Sequence, residues 1–286
     1  MLSERASLIN NGAIFDDERR VGFVGYAMKK IGSASQGKHV WFDELSMEEA
    51  GRMAKIGKTI IFPIGSVEEH GDHLPLCTDS IQPEYVALEV ARRKHCFVAP
   101  PLRYGVCSSA RNFPGTVSIS FEALHKIVLD VLEEFVRNGF KKILVLSGHA
   151  GQSHMTALRL AAEEVITKHA HHEADKMPRI MVCSDYDFAY ELKGKYFSDK
   201  DGHAGTIETS RVMDIRPDLI KKKGRSSYPK LPRFELVAHP ERYFPSGVIG
   251  DPTAASKKKG QTINEYVIEN VAKLVDELRG EATVPK

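Results

Sequence analysis

Glu68 and His70 stand two residues apart in the run Gly65-Ser66-Val67-Glu68-Glu69-His70-Gly71-Asp72-His73. In an extended backbone that spacing points a carboxylate and an imidazole the same way. Gly65 and Gly71 on either side allow a tight backbone path beside an ion. Carboxylate with imidazole suits zinc, manganese or iron, whereas calcium is held by oxygen alone. One such pair is a weak signal, because buried Glu and His often serve only the fold. Its weight rises because histidines recur in glycine-rich settings. His149 lies in Ser147-Gly148-His149-Ala150-Gly151-Gln152, and His203 in Asp201-Gly202-His203-Ala204-Gly205, followed by Glu208-Thr209-Ser210. Ser66 lacks the G-x-S-x-G setting of a nucleophile elbow.

Residues this far apart in sequence need a scaffold to meet. The apolar runs 59–64 (TIIFPI) and 142–146 (KILVL) read as strands buried on both faces. Shorter strands are expected at 96–99, 116–119 and 180–183. Between them, residues 122–138 carry apolar positions at helical spacing and end at Gly139. Further helices are expected at 46–55, 81–94, 153–168, 206–214 and 261–279. Strands alternating with helices imply an α/β fold with a mostly parallel sheet covered on both faces. Ligands of such sheets collect beyond the carboxyl ends of the strands, where the Glu68 and His149 runs fall. Residues 1–37 are polar and weakly periodic, so the reading is an N-terminal extension or arm at 1–37 and one domain over 38–286.

Composition narrows the function. The 286-residue chain has a formal net charge of +2, which gives no support to a nucleic-acid-binding surface. No run of 18 apolar residues occurs, so nothing is expected to span a membrane, and the expected location is cytoplasmic. The four cysteines (Cys77, Cys96, Cys107, Cys183) form no C-x-x-C pair and read as reduced thiols. Asp185, Tyr186 and Asp187 follow the strand expected at 180–183 and can face the same cleft. Arg111 is a candidate for an anionic substrate group, and His73 for support of the ligand loop.

The run GSVEEHGDHLPLCTD (65–79) resembles the signature of the creatininase family of amidohydrolases, G-S-x-E-x-H-G-x-H-L-P-L-x-T-D. The resemblance continues through Asn112-Phe113-Pro114-Gly115-Thr116, Ser147–Gln152, His203-Ala204-Gly205, Glu208-Thr209-Ser210 and Gly247-Val248-Ile249-Gly250-Asp251-Pro252. It implies a three-layer αβα sandwich, a homohexamer and a binuclear site for two divalent cations, zinc first, with manganese or iron as alternatives. By that resemblance Glu68 and His149 bind one metal, His70 the other, and Asp79 bridges them. His203 matches a residue that polarises the substrate carbonyl or moves protons. The implied reaction is hydrolysis of a C–N amide bond in a small non-peptide substrate, cyclic or linear, formamides included.

Departures from the pattern are specific. Creatininases proper carry a metal-binding glutamate two residues after the central histidine, where this chain has Gly151. Glu208 is the candidate replacement, provided that His203 sits in a turn before the helix that carries Glu208. Gly202 replaces another family glutamate, and Trp41 is the only tryptophan, so creatinine itself is not the expected substrate. Two other readings stay open, a peptidase trimming a small modified peptide and a non-catalytic metal-binding member of the family.

Overall fold

Alternation within the central apolar runs decides the layering. Ile61, Leu144 and Leu146 pack into one buried cluster, while Ile60, Phe62, Ile64, Ile143 and Val145 pack into another on the opposite face. A computed structural model describes residues 40–171, 173, 177–230, 232 and 234–280, so the expected arm at 1–37 lies outside the described residues. Strands β1 (Thr59–Ile64), β2 (Phe97–Val98), β3 (Lys142–Ser147) and β4 (Arg179–Ser184) form a sheet in the order β2-β1-β3-β4, with every neighbouring pair parallel.

The helices are α1 (Met47–Lys55), α2 (Thr78–Lys94), α3 (Phe121–Arg137), α4 (Gln152–Lys168), α5 (Asp185–Ala189), α6 (Thr206–Ile215) and α7 (Lys257–Arg279). Val86 and Val90 of α2, Ile207 of α6, and Ile263, Val267 and Val271 of α7 cover the Ile61 face. Leu124, Val128 and Leu132 of α3 and Leu158 and Val165 of α4 cover the other. The result is the three-layer αβα sandwich. Local signals set the ends: Ser46 and Glu49 close a capping box on α1, and Gly139 takes φ +92° just past α3.

Two expected elements differ. Residues 116–119 form no strand of the sheet. Instead Val117 bridges to Val67 and Ser118 to Gly105, which ties this loop to the segment leaving β1. Helix α2 begins at Thr78, three residues before the expected start, and contains Pro83. A proline usually marks a first turn, which argues for a later start. Here it lies farther in and removes the N–H that would bond the Asp79 carbonyl.

Candidate metal centre

The chain leaves β1 toward β2 on one side, while β3 leads to β4 on the other. Such a switch point opens a crevice at the carboxyl ends of the two central strands. Ile64 and Ser147 are paired across it, so the Glu68 and His149 segments depart side by side. Helix α2 closes down on this point. A Cβ on Gly65 would lie 2.5 Å from the Asp79 carbonyl oxygen, and one on Gly148 only 2.1 Å from it. Both strands therefore end in glycine where the first turn of α2 must approach, and that approach delivers Asp79.

The structure brings Glu68, His70, Asp79, His149 and Glu208 into one buried cluster. Asp79 faces two imidazoles at once, with Oδ1 3.0 Å from His70 Nε2 and Oδ2 2.9 Å from His149 Nδ1. Its Oδ2 also accepts from Ser66 Oγ at 2.7 Å. Glu68 Oε2 lies 3.1 Å from the same His149 Nδ1. Each imidazole is anchored by its other nitrogen. His70 Nδ1 is 3.1 Å from the Glu68 carbonyl and His149 Nε2 is 3.0 Å from the Val106 carbonyl. A carbonyl only accepts, so these nitrogens carry protons, and the remaining nitrogens face carboxylates.

His203 sits in the turn before α6, and Glu208 lies in the first turn of that helix. Ala204 between them adopts φ +54°, and its N–H donates to Glu208 Oε2 at 2.6 Å. Asp201 accepts from the Thr206 and Ile207 amides, capping a helix whose own N-cap, Gly205, has no side chain. Glu208 Oε2 thereby comes 3.5 Å from His70 Nε2. At position 151 a Cβ would lie 2.5 Å from His149 Nε2, so a glutamate there would displace the ring. His203 Nε2 donates to the Glu69 carbonyl (2.8 Å) and Glu69 Oε1 (3.1 Å). Glu69 Oε2 is held in turn by the Gly71 amide, and a side chain on Gly247 would collide with it.

The electrostatics fit a cationic centre. Burial alone would lower the His70 pKa, but Asp79, Glu208 and Glu68 reverse that and raise it to about 10. His149 is likewise raised well above its ordinary value, against burial, by Glu68 and Asp79. Asp79 is held well below the usual carboxylate range, because His70 and His149 outweigh its burial. For Glu208 burial wins over His70 and His203, and the carboxyl is raised. His70 Nε2 is buried and makes no hydrogen bond, even with Asp79 Oδ1 at 3.0 Å. The contact brings the two groups close with poor hydrogen-bond geometry, an arrangement that a cation between them would satisfy. Donor groups of Glu68, His70 and His203 lie mutually within 4.8 Å, as do those of Glu68, Cys107 and His149.

A pocket of about 420 Å³ opens onto Glu68, Asp79, His149, His203 and Glu208, with Tyr186, Tyr190, Tyr243 and Phe244 among its walls. Of the three residues after β4, Tyr186 alone lines it. Asp185 is buried against Arg211 Nη2 at 2.6 Å, and Asp187 accepts from the Ser184 amide. Arg111 is exposed and does not line the pocket. His73 bonds Thr209 Oγ1 at 3.0 Å, tying the ligand loop to α6. Sequence reasoning missed Glu69, because a two-residue period turns it away from Glu68 and His70. It also missed Cys107, which no motif marks.

The profile of the family Creatininase, described as creatinine amidohydrolase, matches residues 43–275. Creatinine amidohydrolase of Pseudomonas putida is 28% identical over 258 residues, covering 84% of this chain and 97% of the relative. Mycofactocin precursor peptide peptidase of Mycobacterium ulcerans is 29% identical over 244 residues, covering 79% and 88%. A manganese form of creatininase superposes with a TM-score of 0.74 at 26% identity, covering 84% of this chain and 98% of that one. The chain belongs to the creatininase family.

Proposed function

We propose that this protein is a metal-dependent hydrolase of a C–N amide bond, with two divalent cations held by Glu68, Asp79 and His149 on one side and His70, Asp79 and Glu208 on the other. The observation that carries this reading is Asp79, whose two oxygens face two differently anchored imidazoles. Bound there, the cations would supply a water of lowered pKa and polarise the scissile carbonyl. The chain's own groups do the rest. The carbonyls of Glu68 and Val106 hold the imidazoles in the tautomer that presents a lone pair. Glu69 holds His203 through Nε2, which leaves Nδ1 to take a proton from the attacking water and pass it to the departing nitrogen. Tyr186, Tyr190 and Phe244 wall the pocket and shield the reacting bond from bulk water.

Glu235 adds a further carboxylate to the pocket wall, which favours a neutral amide over a phosphorylated one. The peptidase relative supports a second reading, a short peptide entering past Tyr243 and Phe244. The test is turnover of a panel of cyclic amides, linear amides, formamides and short peptides by protein reconstituted with zinc or manganese. Hydrolysis of an amide, abolished by chelation and restored by metal, is the expected result. A protein that binds metal yet hydrolyses no member of the panel would be a non-catalytic binder.

A further inference from the structure

Cys107 follows Val106, whose carbonyl accepts from His149 Nε2. That link carries the thiol to the His149 side of the centre, where it is fully buried. Its sulfur, a carboxylate oxygen of Glu68 and a ring nitrogen of His149 lie mutually within 4.8 Å. Around a tetrahedral ion, with bonds of about 2.3 Å to sulfur and 2.0–2.2 Å to nitrogen or oxygen, donors sit roughly 3.5 Å apart. Binding of an ion would draw the three donors inward. A second observation lies at the neighbouring carboxylate: His70 Nε2 is buried, has no hydrogen-bond partner and faces Asp79 Oδ1, while Asp79 Oδ2 faces His149.

We propose that Cys107 supplies a thiolate to the ion held by Glu68 and His149, making that position selective for a thiophilic metal such as zinc. The inference rests on the metal-centre reading above. As the sulfur–metal bond forms, the thiol proton leaves to solvent and no electron is transferred. The two positions are then unlike. Glu68, Asp79, His149 and Cys107 give one ion four protein donors, the closed set of a structural site. The other ion, with His70, Asp79 and Glu208, keeps nitrogen and oxygen donors only and retains the open coordination that a reacting water needs. Manganese, which prefers oxygen-rich surroundings, is accepted there more readily than beside the sulfur.

Cobalt(II) reads this directly, because a thiolate ligand gives it an intense charge-transfer band in the near ultraviolet that nitrogen and oxygen donors do not. The expected result is two cobalt ions per chain and a thiolate band in the natural protein. In Cys107→Ser the band is lost, and in zinc–manganese competition the preference for zinc at one position falls. Two bound ions without the band would overturn the proposal and leave the metal centre standing, with Cys107 a buried core thiol. A band that survives in Cys107→Ser would overturn it by assigning the sulfur to another cysteine. Failure to bind cobalt at all would overturn both the proposal and the metal-centre reading. The band is measured on the natural protein first, so the outcome does not depend on how well the variant folds.

Discussion

At the residue scale, Glu208 is the sharpest departure from the family pattern and the most direct to test. Glu208→Gln keeps an oxygen for the Ala204 amide while removing the charge. Metal analysis is expected to fall from two ions per chain to one. Turnover should drop beyond the roughly 10–100-fold that changes outside the ligand shell produce. Two ions and near-normal turnover would leave Glu208 as a structural cap of the turn. His154 gives a stability prediction. It is buried between Ser147 Oγ and the Val106 amide, and burial first, then the His149 charge, lowers its pKa to about 3. The unfolded chain protonates this histidine near pH 6.5, so between about 6.5 and 3 the unfolded state binds more protons. Stability therefore falls on acidification through that window, by about 1.4 kcal/mol per pH unit from this group. Above it the contribution is flat. Urea titrations should show His154→Gln destabilised most at pH 7, with the gap to the natural protein narrowing by pH 5. A constant gap would mean that His154 does not titrate on unfolding.

At the element scale, the contact between α2 and the ends of β1 and β3 is set by absent side chains. Gly148→Ala places a methyl group 2.1 Å from the Asp79 carbonyl, where backbone has to move. A loss of about 3 kcal/mol or more is expected in denaturant titration, together with weaker metal binding. Gly51→Ala, in exposed α1 with nothing within 4 Å of the new methyl, should instead stabilise by about 0.5–1 kcal/mol. Equal effects at the two sites would remove the close-approach argument. These elements also show what sequence can carry. β1 and β3 were legible because strands covered on both faces are apolar throughout, and α3 because its stripe has helical period. The start of α2 was not, since Pro83 reads as a first-turn residue and here interrupts a bond farther inside. Residues 116–119 have strand composition but spend it on single bridges. In the site, spacing and glycines pointed to Glu68, His70 and His149. Asp79 came only through family resemblance, since no local period relates a helix's first turn to a strand end. Glu69 was hidden because the backbone beyond β1 is not regular strand, which lets Glu69 reach His203 while its neighbours face the centre.

At the scale of the whole molecule, the two helical layers hold the sheet rigid beneath a centre assembled from loops and helix starts. Among the described residues no helix is long and apolar enough to cross a membrane. The family resemblance leads us to expect a homohexamer. Light scattering at micromolar concentration should give the mass of six chains, and a monomeric mass would dismiss the expectation.

Asp79 has a further consequence, in the order of events along the chain. It faces His149 seventy residues downstream, and Glu208 arrives later still. A chain emerging from synthesis can offer Glu68, His70 and Asp79 early, yet no complete pair of sites exists until α6 has docked. On the proposed metal-centre reading, metal capture would be a late step, and the ions would clamp segments already folded rather than nucleating them. Interactions absent from the transition state slow unfolding and leave folding rates alone. Chelation should accordingly steepen the loss of native protein while refolding proceeds at its former rate. Refolding that slowed in proportion to the metal removed would place the centre early in folding instead.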